Sequence, residues 1–342
     1  MNVYLLLLSF FLLSYTVYHP KEEISRVEQK KIYIESIIKN LEPLLIEQRN
    51  QDPNFFARLD NIQSWEALSE GDEGSYILKD KANNPQFIAK PFDEAIYCLN
   101  NPKDHAFVDH APLKIAIPLY RSAQTEALCY EIARLCFVEN IFPRTYLALF
   151  AVPEIKLCSI QEYIPNTISL RSFIEKMLLQ GRSENELEDY LDQEDFSSIA
   201  LLTLLIYDND AHASNILLYP KSSGLYGIKS IDHSLSLPEK NKGFFSFIMY
   251  LPNARKAISP LLKKKALQLP LEELQRRFNA YGLSSSYKAF EERVFVLQEL
   301  IERPDITYYE IFVRFLLLEQ PKGLDLALSF LSLKELEAKL LF

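Results

Sequence analysis

Three groups of residues along this chain have types and spacings that could do chemistry. In the first, Asp210-Ala-His-Ala-Ser-Asn215 is followed by a hairpin signal and then by Ile231-Asp232-His233. The Asp210 carboxylate could orient an attacking hydroxyl. The amide oxygen of Asn215 and the carboxylate of Asp232 are the hard oxygen donors that hold a divalent cation against nucleotide phosphates. In the second, Gly71-Asp-Glu-Gly74-Ser75-Tyr76 runs into a strand, and Lys90 lies on the next one. Glycines between paired strands let backbone N–H groups approach phosphates, and a lysine beside them reaches phosphate oxygens as a point charge. The third is Glu126, on a helix that follows, placed to hold that lysine by ion pairing; Tyr130, four residues on, shares its face. Together these imply phosphoryl transfer, a chemistry of positioning and charge neutralisation.

Each group alone has a plainer reading: a turn glycine with a surface lysine, a solvated helix glutamate, a helix-capping aspartate, or a turn cap at Asp232. It is their joint order that points to one site. Other chemistries find no support. GxxxxGK[ST] is absent, as is GxGxxG followed by βαβ, and no GxSxG or Cys/His pairing argues for a hydrolase. His212 and His233 beside the proposed acids read as orienting imidazoles. His105 and His110 near Cys98 match no regular zinc spacing.

Positioning these groups requires a particular set of elements. Lys21–Asn50 has helical periodicity, Asp52–Ser64 reads as a linker, and Ser75–Leu78 and Phe87–Ala89 read as strands across a hairpin loop. Phe92–Leu119 is irregular and Gln124–Val138 is an amphipathic helix. Two more strands fall at Tyr146–Val152 and Cys158–Tyr163. Beyond Pro165 the pattern becomes helical (Leu170–Leu179, Phe196–Tyr207), with a hairpin at Ile216–Tyr219 and Gly227–Ile231, and Leu271–Phe342 is nearly all helix. This is α+β segregation into a β-rich first lobe and a helical second lobe with an embedded hairpin. The expected divisions are 1–20, 21–66 (helical extension and linker), 67–165 (first lobe) and 166–342 (second lobe with a helical C-terminal extension).

Composition is compatible with this. The 342 residues are 48% hydrophobic and 24% charged, ordinary globular usage that excludes disordered, collagen-like or coiled-coil chains. A net charge of −9 argues against nucleic acid as a partner. Cys98, Cys129, Cys136 and Cys158 form no CxxC pair and read as buried thiols in a reducing compartment. Only eight residues are glycine, so the pair at Gly71 and Gly74 stands out.

These residues resemble a known group. Phe87–Lys103 (FIAKPFDEAIYCLNNPK) is similar to a stretch of the phosphatidylinositol 3-/4-kinase superfamily, closest to the type II and plant gamma-type phosphatidylinositol 4-kinases. Glu126-Ala-x-x-Tyr130, SIQEYIPN at Ser159–Asn166, NDAHASNILL, and IDHSLSLPE at Ile231–Glu239 resemble further motifs of that group, so the likeness spans about Glu70 to Pro260. The resemblance implies a bilobal protein-kinase-like fold and ATP with Mg2+ or Mn2+ as cofactors. It implies that Gly71, Gly74, Ser75 and Tyr76 form the phosphate loop and that Lys90, paired to Glu126, contacts ATP. By the same likeness Gln161, Glu162, Tyr163 and Ile164 are the adenine hinge, Asp210 is the catalytic acid, and Asn215 and Asp232 are the metal ligands. The implied acceptor is an inositol lipid, with a protein hydroxyl as the alternative, and an impaired pseudokinase as a third reading.

Three positions depart from that pattern. Ala211 stands where the group has arginine, which would weaken anion handling. Ser214 and Ser234 stand where it has glycine, and both replace a residue that permits φ > 0.

Two segments bear on location. Val3–Tyr18 carries no charge, but sixteen helical residues reach only about 24 Å, short of the about 30 Å of a hydrocarbon core. It reads as a short membrane anchor or atypical export leader, or else as a buried helix. Arg255, Lys256, Lys263, Lys264 and Lys265 form a basic run after Phe244-Phe245-Ser-Phe247; it reads as a surface for anionic lipid or as a solvated helix face. The expectation is a membrane-associated protein whose catalytic domain lies in a reducing compartment on the cytoplasmic side, with secretion by an atypical leader as the alternative.

Overall fold

The computed structural model describes residues 20–69, 73–95, 98, 101–102, 121–136, 141–152, 154–241 and 246–319. It divides after Ile46. The described part of the first unit is most of a helix, α1 (Pro20–Gln51); Glu47–Gln51 of that helix belong to the second unit, which holds every described candidate site residue. The leader at residues 3–18, Gly71, His105, His110, Phe244 and Phe245 lie outside the described residues.

The expected linker is in part a helix, α2 (Pro53–Asp60). Asp52 caps it, its carboxylate accepting from the Phe55 N–H at 3.0 Å, and Pro53 occupies the first turn, where no N–H is needed. Phe55, Phe56 and Leu59 are buried, and the Phe55 ring lies 4.7 Å from that of Phe87 and 4.8 Å from that of Tyr146. The polar residues of this stretch are therefore cap and surface, and its apolar ones are core of the first lobe.

That core lines an antiparallel sheet of β1 (Ser64–Ala67), β2 (Tyr76–Lys79), β3 (Pro85–Pro91), β4 (Thr145–Ala151) and β5 (Ile155–Glu162), in the order β1-β2-β3-β5-β4. The register sets Lys90 opposite Ser159 and Ser159 opposite Leu147, one row across three strands. Helix α3 (Ser122–Cys136) packs on β4 and β5. Its pattern suggests one apolar face, but it is buried on nearly every side, Glu126 and Glu131 included. Buried carboxylates need partners, and both have them.

After β5 the chain enters the second lobe, with β6 (Ile168–Ser169) and the hairpin β7 (Ile216–Pro220) and β8 (Tyr226–Ser230) in one three-stranded sheet. Helices α4 (Leu170–Leu179) and α5 (Gln193–Ile206) precede the hairpin, and α6 (Pro260–Leu267), α7 (Leu271–Ala280), α8 (Ser284–Ile301) and α9 (Tyr308–Glu319) follow it. Phe196–Ile206 of α5 is buried throughout, as its apolar run requires. Its end is handled by two devices. The buried Arg293 of α8 donates Nε to the Leu205 carbonyl at 2.7 Å, and Tyr207 turns the chain with φ 55°. The reversal places the buried Asp208 beneath the loop that carries Asp210.

Candidate active site

Two ends of the β7–β8 hairpin carry the proposed metal ligands. Asn215 precedes β7 and Asp232 follows β8; the Ile231 N–H donates to the Asn215 carbonyl at 2.9 Å, closing the hairpin base and bringing the two together. Asp232 has φ 64°, a left-handed conformation that aspartate tolerates better than most residues. Neither Ser214 nor Ser234 has positive φ. The expected backbone problem at the serines is therefore absent, because the left-handed turn falls on Asp232 itself.

The Lys90 ammonium joins the lobes. It donates to Glu126 Oε1 at 2.7 Å and to Asp232 Oδ1 at 2.8 Å. The Glu126 side chain is 1% exposed, while that of Asp232 is 32% exposed, so one partner is sealed and the other faces the opening. Burial works against the charged lysine, but Asp232 and then Glu126 outweigh it and hold its pKa above the usual value. Burial is the larger influence on Glu126 and raises its carboxyl against the pull of Lys90. Burial also opposes the Asp232 charge, but there Lys90 prevails and keeps the carboxyl below its ordinary range.

Asp208 is the residue that sequence reasoning missed. Its Oδ1 accepts from the Asp210 N–H at 3.0 Å and its Oδ2 lies 2.7 Å from His233 Nδ1. The His233 N–H donates to Glu126 Oε1 at 3.1 Å, and its ring stacks on Phe142 with centroids 4.0 Å apart. One buried carboxylate thus fixes the loop carrying Asp210 and the turn carrying Asp232. The burial of His233 lowers its pKa, but Asp208 more than compensates and raises it. The available signal was the buried apolar run ending in Tyr-Asp-Asn-Asp, which puts a second carboxylate two residues before the one that stands out.

Asp210 opens toward solvent, with a third of its side chain exposed. Asn215 Nδ2 donates to the Asp210 carbonyl at 3.0 Å and to its Oδ2 at 3.2 Å. Burial, then the Asp232 and Asp208 charges, push the Asp210 carboxyl up to about 7. A carboxyl poised near neutrality suits a group that accepts a proton from a hydroxyl.

The described part of the loop expected to cradle phosphates, Glu73–Tyr76, is tied into the first lobe. The Gly74 N–H donates to the Glu94 carbonyl at 3.0 Å. A Cβ at Gly74 would lie 2.1 Å from Glu94 Oε2, so this glycine permits the passage of Glu94. Tyr76 donates its hydroxyl to Glu94 Oε2 at 2.7 Å, and Lys156 pairs with Glu94 and, at 3.6 Å, with Asp93. Gly74 and Tyr76 therefore belong to a structural ion-pair network, with Ser75, whose carbonyl accepts from Leu68, bonded to the same lobe. Among the described residues of this loop, Glu73 reaches the site, another that sequence reasoning passed over. Its Oε1 accepts from Ser234 Oγ at 3.0 Å, and burial, then the Asp232 charge, raise its carboxyl. Ser234, one of the three departures from the resembled pattern, holds this carboxylate.

At the expected hinge, Gln161 pairs with Ile88 and Thr145 within the sheet. Glu162 binds Arg144 and Arg58 through its side chain, and its N–H donates to the Arg144 carbonyl at 2.8 Å. The Tyr163 N–H donates to the Gln86 carbonyl at 2.9 Å. Of the basic run, Arg255 stacks over the Tyr309 ring, Lys256 pairs with Glu188 at 3.1 Å, and Lys263 donates to the Arg303 carbonyl at 2.6 Å. Lys264 is exposed, and Lys265 is half-buried. No helix among the described residues is long and apolar enough to cross a membrane.

The donor set fits a divalent cation that arrives with phosphates. Among the described residues no group of three or more His, Cys, Asp or Glu could hold a metal by itself. Asn215 turns its amide nitrogen to Asp210, which leaves its oxygen to face elsewhere. An amide oxygen and one partly open carboxylate are what Mg2+ takes when phosphates and water complete its shell.

The sequence matches no family model and no curated protein. Among solved structures, the chain is similar to the golgi casein kinase, with a TM-score of 0.44, 13% identity, and coverage of 70% of this chain and 73% of that one. The Rio2 kinase of Chaetomium thermophilum, in complex with ADP/Mg2+ and phosphoaspartate, gives 0.32 at 12% identity over 81% and 76%. The maize SIRK1 kinase domain bound to AMP-PNP gives 0.29 at 10% identity over 74% and 92%. At these scores the superpositions add no argument about activity. The chain's own arrangement is that of a bilobal kinase-like α+β fold: a five-stranded antiparallel sheet packed by α2 and α3, a largely helical second lobe, and a lysine on the sheet bonded to a glutamate on α3 and to an aspartate after the second-lobe hairpin.

Proposed function

We propose that this protein is an ATP-dependent phosphotransferase that moves the γ-phosphoryl of ATP to a hydroxyl. The observation that carries the reading is the Lys90 ammonium bonded at once to buried Glu126 and to Asp232. A lysine so held is a fixed positive charge at the junction of the two lobes, where nucleotide phosphates would meet it. Asn215 and Asp232 would hold Mg2+ or Mn2+, which neutralises phosphate charge when bound. Asp210 would orient the acceptor hydroxyl and take its proton. The adenine would lie along the chain after β5; with the Glu162 and Tyr163 amides engaged and the Ile164 carbonyl accepting from Thr167 Oγ1 at 3.3 Å, the Ile164 N–H is the hinge group that would read its edge.

The proposed acceptor is an inositol lipid, following the likeness of Phe87–Lys103 and Ile231–Glu239 to phosphatidylinositol kinases, and the proposed setting is a membrane surface. The test uses the full-length protein with γ-labelled ATP and Mg2+, phosphatidylinositol vesicles and an unstructured protein acceptor together, beside Asp210→Asn. Label in lipid, reduced by a factor of about 10²–10⁴ in the variant, is the expected outcome. Label in protein would replace the lipid reading, and no label in either fraction would overturn the assignment as an enzyme.

A further inference from the structure

Glu126 is one of two buried carboxylates on α3. The other, Glu131, is five residues on, about 140° around the helix, and therefore faces away from Lys90. Its side chain is 2% exposed. It pairs with Arg134 of its own helix at 2.8 Å and with Arg277 of α7, whose Nε lies 3.2 Å from its Oε1. The Arg277 side chain is 7% exposed and gathers carboxylates from two further places: Glu273 one turn back on α7 at 2.8 Å, and Glu47 near the end of α1 at 2.7 Å.

One turn further, the buried Tyr281 hydroxyl accepts from Gln48 Nε2 at 2.5 Å. Gln48 Oε1 in turn accepts from the Leu147 N–H at 3.1 Å. β4 is an edge strand, so this N–H would otherwise lack a partner. Leu147 also lies in the row that runs through Ser159 to Lys90. Arg121, the residue before α3, donates to the Gly282 carbonyl just after Tyr281. α7 and its exit thus bond to α3 and to the residue just before it, and reach the sheet edge in line with Lys90 through Gln48.

We propose that α7 is a built-in brace for the Lys90–Glu126 pair, and that Arg277 is a positioning residue acting through α3. The brace holds Glu126 inward by contacts within the chain, so the site stays assembled without a partner or a modification. The kinetic part rests on the phosphotransferase reading; the structural part does not. The test compares full-length wild type with Arg277→Met, which keeps the aliphatic stem and deletes the charged fork. Backbone amides of residues 122–136 should exchange hydrogen at least tenfold faster in the variant, with those of 193–206 unchanged. The kcat for phosphoryl transfer should fall by about ten- to a hundredfold. In a Glu126→Gln background the same substitution should cost less than twofold, because the group it positions is gone. Unchanged exchange over 122–136, or an equal loss in both backgrounds, would overturn the brace. If wild type transfers no phosphate, the exchange result still decides it. Should Arg277→Met fail to fold, Tyr281→Phe removes one hydroxyl and should speed exchange over 145–151; no change there would count against the proposal.

Discussion

Replacing Lys90 by methionine should destabilise the protein in a way that depends on pH. Methionine fills much of the same volume, so the loss comes from charge. Glu126, 1% exposed, would be left in the interior with the His233 N–H at 3.1 Å and without its cationic partner. Asp232, a third open, keeps access to water and contributes less. A stranded buried carboxylate need not stay charged, because it can take up a proton. At pH 7.5 that costs about 1.36 kcal/mol per unit over about three units from the ordinary glutamate pKa, a ceiling of about 4 kcal/mol. At pH 5.5 the same step costs about 1.6 kcal/mol. The sign follows from a carboxyl whose folded pKa is raised above its unfolded one: the folded state is favoured at low pH and loses ground as pH rises. The stability deficit of Lys90→Met should therefore shrink by up to about 2.7 kcal/mol between pH 7.5 and 5.5. Urea unfolding of both proteins at the two pH values measures it. A deficit under about 1 kcal/mol at pH 7.5, or one that does not change with pH, would refute the claim that Lys90 compensates a buried negative charge.

The other expectations are simpler to state. Asp210 must be ionised to accept a proton, so turnover should climb as pH rises through about 7, and Asp210→Asn should flatten that limb. The same raised carboxyl favours the folded state below its unfolded pKa and loses that contribution through pH 7, so Asp210→Asn should gain in melting temperature at pH 8.5 relative to pH 5.5. Gly74→Ala would drive a methyl into Glu94, 2.1 Å from its Oε2, and should cost about 1–3 kcal/mol in denaturant unfolding; an unchanged midpoint would show that Glu94 moves aside freely. Glu73→Gln removes a negative charge held by Ser234 beside Asp232, and should tighten ATP binding in calorimetry at pH 8 more than at pH 6.

Much of this site was legible from local signals. The hairpin between Asn215 and Asp232, the strand carrying Lys90 and the helix carrying Glu126 each follow from short-range periodicity and turn residues, and covalent order alone dictates their succession. What the chain could not declare locally was decided by contacts between distant segments. Asp52–Ser64 reads as a polar linker until the sheet supplies a surface for Phe55 and Phe56, and then the cap and proline make Pro53–Asp60 a helix. Gly74 reads as a phosphate-loop glycine until Glu94, twenty residues on, passes where its Cβ would stand. The serine at 234 reads as a defect until Glu73 arrives to bond it, and the left-handed turn proves to lie on Asp232. Asp208 and Arg277 are ordinary charged residues in one dimension. They acquire roles only in three, because burial makes an unpaired charge expensive and so makes the identity of each partner matter.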